Sequence, residues 1–120
     1  MATRCRIGIL NNATEEGGNG LVDSIYIHWD GYPERIRKIL KKFYTTELDV
    51  RNLILKGYQS SLNEDGTITP FTANDGELFQ THQWEEKYPW PFNGQEFEYC
   101  FLPKDNKWMY RKTGKGWTEL

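Results

Sequence analysis

Apolar and polar side chains alternate in four short segments, and this period of two constrains the fold more than any other feature of the sequence. The segments are residues 4–10, 22–30, 96–101 and 108–111. Consecutive side chains of a β-strand point to opposite faces of its sheet, so each segment predicts a strand with one apolar face. In the first segment that face holds Cys5, Ile7 and Ile9.

Turn-forming residues separate the two strands of each pair. Residues 11–20 are rich in Asn and Gly, and residues 103–106 read Pro-Lys-Asp-Asn. Both compositions are typical of turns, so we predict two antiparallel hairpins. Pairing in the first hairpin would place Arg4 and Arg6 on the same sheet face as Tyr26 and His28.

Two helices are predicted between the hairpins. Pro33 suits the first position of a helix, and apolar residues from 36 to 43 recur at helical spacing opposite a face of Arg and Lys. Thr46 predicts the cap of a second helix and Gly57 its end. The sequence therefore predicts an α+β fold: an antiparallel sheet of two hairpins with two adjacent helices packed on one face. The opposite face would be solvated, or covered by a ligand or another subunit.

Residues 59–94 give weaker patterns. Residues 67–71 predict a short strand limited by Pro70, and residues 78–88 predict a helical turn or two that the following prolines end. Trp84, Tyr88 and Trp90 predict either a lid over the core or an exposed contact for a partner.

Length and composition predict one folded domain spanning residues 1–120. A chain with 38% hydrophobic and 15% aromatic residues is too apolar to be disordered. Its formal net charge of -2 provides no overall attraction to nucleic acid or to an anionic membrane. No apolar run has the length of a membrane span or a signal peptide, so we expect a cytoplasmic protein whose two cysteines are reduced and buried.

The run His-Trp-Asp-Gly-Tyr-Pro at residues 28–33 is the most distinctive candidate for a site. His28 and Asp30 project from the same strand face as Tyr26, and the three groups suit the binding or acid–base chemistry of a small polar ligand. In the alternative interpretation the run is structural: Trp29 fills the core and Asp30 caps the helix.

Arg4 and Arg6 beside Tyr26 predict a phosphate-binding face, because guanidinium groups donate two hydrogen bonds to phosphate and stack on rings. That chemistry favours a small nucleotide. The alternative is that the arginines lie along a solvated face or pair with Glu96 and Glu98.

Other classes of ligand receive less support from the sequence. The basic face of the first helix offers cations to nucleic-acid phosphates, but the negative net charge and neighbouring carboxylates favour a solvated face, so nucleic acid is not expected as a partner. His28 and His82 are far apart and the cysteines lack ligand spacing, so we expect no metal and no cofactor.

Several stretches together resemble a known group of proteins. They are Ser24–Glu34, which contains the His-Trp-Asp-Gly-Tyr-Pro block, the helix end at Phe43–Thr46, Val50–Gly57 and Ser60–Leu62. These stretches resemble a widespread group of small uncharacterised proteins carried by bacteriophages and prophages. Residues 99–102 and 107–110 are more loosely similar, and residues 66–94 depart from the pattern. The resemblance implies phage origin and an accessory role, such as host takeover or neutralising a bacterial defence, and brings no catalytic residues.

Three hypotheses of function follow. The first is a phage accessory protein that acts by binding a host or defence protein or a nucleotide signal, without catalysis. The second is a small nucleotide-processing enzyme with His28 as acid or base and Asp30 orienting it. The third is a homodimer formed across the same sheet face. The predicted contact residues are Arg4, Arg6, Tyr26, His28, Asp30, Trp84, Tyr88 and Trp90.

Overall fold

A computed structural model of the chain describes residues 3–11, 20–70, 79–84, 90–91 and 94–120. The elements within these ranges are β1 (Cys5–Leu10), β2 (Leu21–Ile27), α1 (Pro33–Phe43), α2 (Glu47–Leu55), β3 (Gln59–Leu62), β4 (Ile68–Pro70), β5 (Gln80–Gln83), β6 (Phe97–Leu102), β7 (Lys107–Lys112) and β8 (Thr118–Glu119). Among the described residues, no helix is both long and apolar enough to cross a membrane.

The strands form one mixed sheet in the order β4-β3-β2-β1-β6-β7-β8, and β5 pairs with β2. Both predicted hairpins are confirmed, since β1 pairs antiparallel with β2 and β6 with β7. The predicted shared sheet face of Arg6 and Tyr26 is also confirmed, since the two residues are opposite each other in this pairing.

The expectation of a purely antiparallel sheet is wrong, because two of its strand pairs are parallel. β2 pairs parallel with β3, and β1 pairs parallel with β6. Parallel neighbours need a long crossover connection, and both helices lie in the connection from β2 to β3. The chain is therefore α+β, with the two hairpins joined side by side through β1 and β6.

The main core joins the helices to the apolar stripes of the central strands. The predicted stripe of Cys5, Ile7 and Ile9 is fully buried, as are Ile25 and Ile27 across the hairpin. They share one cluster with the buried side chains of both helices, which are Ile36, Ile39, Leu40, Val50, Leu53 and Ile54. Cys5 and Cys100 are both buried and free.

The helix boundaries follow the local signals in the sequence. Pro33 begins α1, and the Thr46 side chain accepts a hydrogen bond from the Asp49 amide at the start of α2. Gly57 follows α2 with a φ of 82°, a left-handed conformation that glycine adopts without a steric cost.

The region after α2 differs from expectation in two elements, because Gln59–Leu62 forms strand β3, which no sequence pattern predicted, and β5 replaces a predicted helical turn. Ile68–Pro70 forms the predicted short strand, at the edge of the sheet where proline is tolerated. Gln80–Gln83 is strand β5, so the predicted helical turn is wrong at these positions. Its residues pair with Leu21–Ser24 on β2, and this long-range pairing overrides the local helical preference.

Candidate functional site

The sheet face opposite the main core is filled by the chain itself. Arg6 is 0% exposed, and Tyr26 on the neighbouring strand is also buried. The expectation that this face is solvated or open to a ligand is therefore wrong at these two residues. The burial of Arg6 and Tyr26 inside the monomer also gives no support to a homodimer formed through these two side chains.

The Arg6 guanidinium is held by side chains from three other strands or loops. Its Nε donates to Ser24 Oγ at 3.1 Å, and its Nη2 donates to Tyr58 OH at 3.0 Å and to Gln80 Oε1 at 2.9 Å. The Tyr58 hydroxyl in turn donates to Gln80 Oε1 at 3.0 Å. Arg6 also lies over the Tyr58 ring, 5.3 Å from its centroid. Arg6 is thus a structural group that ties β5 and the end of α2 to the central strands.

Ser24 extends this network to a second histidine. Its Oγ lies 2.7 Å from His82 Nε2. The same oxygen accepts a hydrogen bond from Arg6, so Ser24 links the guanidinium to the ring of His82. The His82 ring packs 4.8 Å from Trp90, which is buried in a second, smaller core with Val22 and Cys100.

The tryptophans of the weakly patterned region belong mainly to this second core. Trp90 is buried, and Trp84 is half-buried 4.8 Å from the ring of Trp117. Of the two predicted roles, these contacts match a lid over the sheet. Tyr88, the third predicted residue, lies outside the described residues.

A buried ion pair lies further across the sheet, between β6 and β7. Arg111 Nε donates to Glu98 Oε1 at 2.6 Å, and Gln95 Nε2 donates to the other carboxylate oxygen at 3.0 Å. Arg111 also lies over the Trp117 ring, 4.6 Å from its centroid. Glu98 therefore does pair with an arginine, and that arginine is Arg111.

Asp30 does not orient His28 as the enzyme hypothesis predicts. His28 Nδ1 shares a hydrogen bond of 2.9 Å with the hydroxyl of Tyr26, and burial raises the pKa of Tyr26 against the lowering effect of Arg4. The Asp30 side chain is exposed and, among the described residues, makes no hydrogen bond to His28. Asp30 does not cap α1 either, since the residue at the cap is Tyr32.

Arg4 lies beside this cluster. It is half-buried, and its Nε is enclosed without a hydrogen-bond partner among the described residues. The structure therefore brings together four predicted residues: Arg4, Arg6, Tyr26 and His28. It leaves Asp30 outside the cluster. The residues that complete the network around Arg6 are Ser24, Tyr58, Gln80 and His82, whereas Glu98 and Arg111 form a separate buried ion pair.

Trp29 and Tyr32 are the large rings that the distinctive run presents to solvent. Trp29 is 46% exposed and Tyr32 is 38% exposed, so the expectation that Trp29 fills the core is wrong. Between them Gly31 is buried: its N–H donates to Thr3 O and its carbonyl accepts from the Tyr99 hydroxyl, both at 2.7 Å. These contacts fix the backbone between the two exposed rings.

A groove of about 510 Å³ begins at Tyr32 and runs along α1. The residues lining it are Tyr32, Glu34, Arg35, Lys38, Ile39, Lys42 and Glu64. Arg35 Nε lies 3.7 Å from Glu64 Oε2 at its rim. Tyr32 therefore connects the exposed rings of the distinctive run with the basic surface of α1. The alternation of side chains in β2 alone does not indicate this connection.

Comparisons with known proteins identified no relative of this chain. No family model matches the chain, and neither the curated proteins nor the solved structures searched contain a significant match. The assignment of a function therefore depends on the site itself and on the resemblance described above.

Proposed function

We propose that this chain is a phage-encoded accessory protein that acts by binding a host or defence component, either a protein or a nucleotide signal. Its contact surface is the exposed end of the molecule formed by Trp29, Tyr32 and the start of α1. This contact surface lies beside the predicted sheet face and not on it, because the chain itself covers the central side chains of that face.

The observation that carries the proposal is the exposure of two aromatic rings beside a hydrogen-bonded backbone. Trp29 and Tyr32 flank Gly31, whose backbone hydrogen bonds join this loop to residue 3 and to β6. Exposed aromatic side chains concentrate binding energy in interfaces, and a rigid backbone reduces the entropy lost when a partner binds. The phage origin and the accessory role come from the resemblance of residues 24–34 and their neighbours.

The test compares what copurifies with three forms of the tagged protein from infected cells, analysed for proteins and for small nucleotides. The forms are the wild type, a Trp29→Ala/Tyr32→Ala variant and a Leu48→Ala/Leu55→Ala variant. The last is a matched control, because Leu48 and Leu55 are also large exposed side chains, 69% and 63% exposed, but lie on α2.

We expect a specific component to copurify with the wild type and with the control, and to be lost from the Trp29→Ala/Tyr32→Ala variant. Equal recovery with all three forms would reject the proposed surface. Recovery of nothing specific with the wild type would reject binding as the function.

A further inference from the structure

The cations of α1 are concentrated on the surface that adjoins Tyr32. This helix of 11 residues contains five Lys or Arg and a single acidic residue, Glu34. Arg37, Lys38, Lys41 and Lys42 are all exposed, and none of these four forms an ion pair with another described residue. Like charges four residues apart on a helix repel each other, and this repulsion opposes the favourable interaction of Lys41 and Lys42 with the helix dipole.

The groove divides these cations into two sets. Lys38 and Lys42 line it together with Arg35, whereas Arg37 and Lys41 line a neighbouring pocket that shares Lys38 with the groove. Lys38 and Lys42 are one turn apart, about 6 Å along the helix axis, so both lie on the same side of the helix. Two carboxylates, Glu34 and Glu64, also line it, and Glu64 is paired with Arg35. The lining therefore has three cations against two anions.

The ring of Tyr32 adds a second kind of recognition at the end of the groove. An aromatic face stacks on a nucleobase, and ammonium or guanidinium groups bind phosphate. A volume of about 510 Å³ lies within the range of sites that hold small molecules. A ring at one end and cations along the side are together the features that a phosphorylated nucleoside requires.

The charge of the remaining molecule favours a small ligand over a long nucleic acid. The whole chain carries a net charge of -2 and α1 carries four net positive charges, so the other residues together carry six net negative charges. A long polyanion would extend from the groove into this negative field, whereas a mononucleotide or a short cyclic nucleotide would stay within the basic part.

We propose that the groove formed by Tyr32, Lys38, Lys42 and Arg35 binds a phosphorylated nucleoside, with the base on Tyr32 and the phosphates between the two lysines. This inference rests on the proposed function, since it names the class of ligand that the exposed end of the molecule would recognise.

Calorimetric titration of the full chain with ADP, with adenosine and with inorganic pyrophosphate tests the inference. We expect ADP to bind more tightly than either of the two partial ligands, because only ADP uses both the ring and the cations. Lys42→Gln should weaken ADP binding about tenfold, the effect of losing one charge-assisted hydrogen bond.

The matched control is Lys41→Gln, which removes the same charge from the neighbouring position outside the groove. It should change the ADP affinity by about twofold or less, through long-range electrostatics alone. Tyr32→Ala should weaken ADP about fivefold or more and leave pyrophosphate unaffected, whereas Tyr32→Phe should retain stacking. Glu64→Gln should tighten ADP binding about threefold, since it removes an anion and releases Arg35.

Three results would overturn the inference: no ADP binding at millimolar concentration, equal weakening by Lys41→Gln and Lys42→Gln, or ADP affinity equal to that of pyrophosphate. If ADP does not bind but a protein is still lost from the Trp29→Ala/Tyr32→Ala variant, the ligand class is rejected and the proposed function stands. If ADP binds as described but nothing specific copurifies from cells, the groove stands and the proposed function is rejected.

Discussion

Gly31 is the residue on which the exposed end of the molecule depends. A Cβ atom built on Gly31 would lie 2.7 Å from both Cβ and Sγ of Cys5, and Cys5 belongs to the main core. The requirement for glycine here comes from this close approach and not from its backbone angles. The residue with a positive φ in the same loop is Asp30, at 57°.

Replacing Gly31 with alanine should destabilise the protein by about 1–3 kcal/mol, because the added methyl group overpacks a contact with a fully buried side chain. Urea denaturation would measure the loss. Gly116→Ala is the matched control: a Cβ there meets no atom within 4 Å, so its effect should stay within about 0.5 kcal/mol. Similar stabilities for the two variants would contradict the role assigned to Gly31.

Gln59 is a buried amide whose side chain has no hydrogen-bond partner among the residues that the structure describes. It is 0% exposed, and neither its side-chain oxygen nor its side-chain nitrogen has a hydrogen bond among the described residues. Replacement by Leu should raise the free energy of unfolding by about 1 kcal/mol, since it removes the cost of burying unsatisfied polar atoms. Thermal unfolding would detect the gain, and a lower Tm for Gln59→Leu would show that the amide is satisfied in solution.

At the scale of elements, β5 is attached to the sheet through polar side chains as well as through its backbone. Gln80 accepts hydrogen bonds from Arg6 and Tyr58, His82 bonds to Ser24, and Thr81 Oγ1 donates to Asp23 Oδ1 at 2.6 Å. The contacts of Gln80 and His82 converge on the buried network around Arg6. Arg6 is therefore the group whose change should affect β5 most.

Arg6→Lys should loosen β5 while leaving α1 intact. A lysine ammonium lacks the planar fork that reaches Ser24 on one side and Gln80 on the other, so some buried polar groups lose their partner. We expect a loss of about 2 kcal/mol and faster hydrogen exchange of the amides of residues 80–83. Unchanged exchange at those amides, with that of α1 as the internal reference, would contradict this attachment.

The elements that the sequence predicted correctly are those with local causes. The hairpin registers follow from side-chain alternation, and the helix ends follow from Pro33, Thr46 and Gly57. The parallel pairings and β5 were missed, because they join segments far apart in the chain that local patterns do not relate. The alternation of Gln80 and His82 on one face was the available signal for β5, but two polar residues are a weak strand pattern.

The sequence predicted which side chains of the candidate site lie together better than it predicted whether solvent reaches them. Sheet parity placed Arg6, Tyr26 and His28 on one face, and they do lie together. Whether that face is covered depends on Tyr58, Gln80 and Trp90, which come from distant parts of the sequence. The sequence therefore suggested a docking face where the molecule has an internal polar network.

At the scale of the whole molecule, several buried acidic protons determine how stability depends on pH. Burial raises the pKa of Cys5 and Cys100 above the ordinary value of 9.0, and that of Tyr99 above 10.0. These groups keep their protons in the folded protein. In the unfolded chain the same thiols ionise near pH 9. Their contribution to stability is therefore complete below about pH 9 and decreases as the pH rises further.

We accordingly expect the free energy of unfolding to fall above pH 9, by about 1.4 kcal/mol per pH unit for each thiol that ionises only on unfolding. Urea denaturation between pH 7 and 10.5 would measure the slope. A Cys5→Ala/Cys100→Ala variant should show a smaller slope up to pH 10, whatever its absolute stability. A wild-type stability that stays constant over this range would contradict the burial of the thiols.

The parallel pairing of β1 with β6 has a consequence for how the protein is made. β1 is complete once residue 10 has been synthesised, but its neighbour β6 ends at residue 102 of 120. The emerging polypeptide therefore cannot complete this strand pair until residue 102 has left the ribosome. Contacts of such long sequence separation slow folding, and the nascent chain must keep one edge of β1 unpaired until β6 has been synthesised.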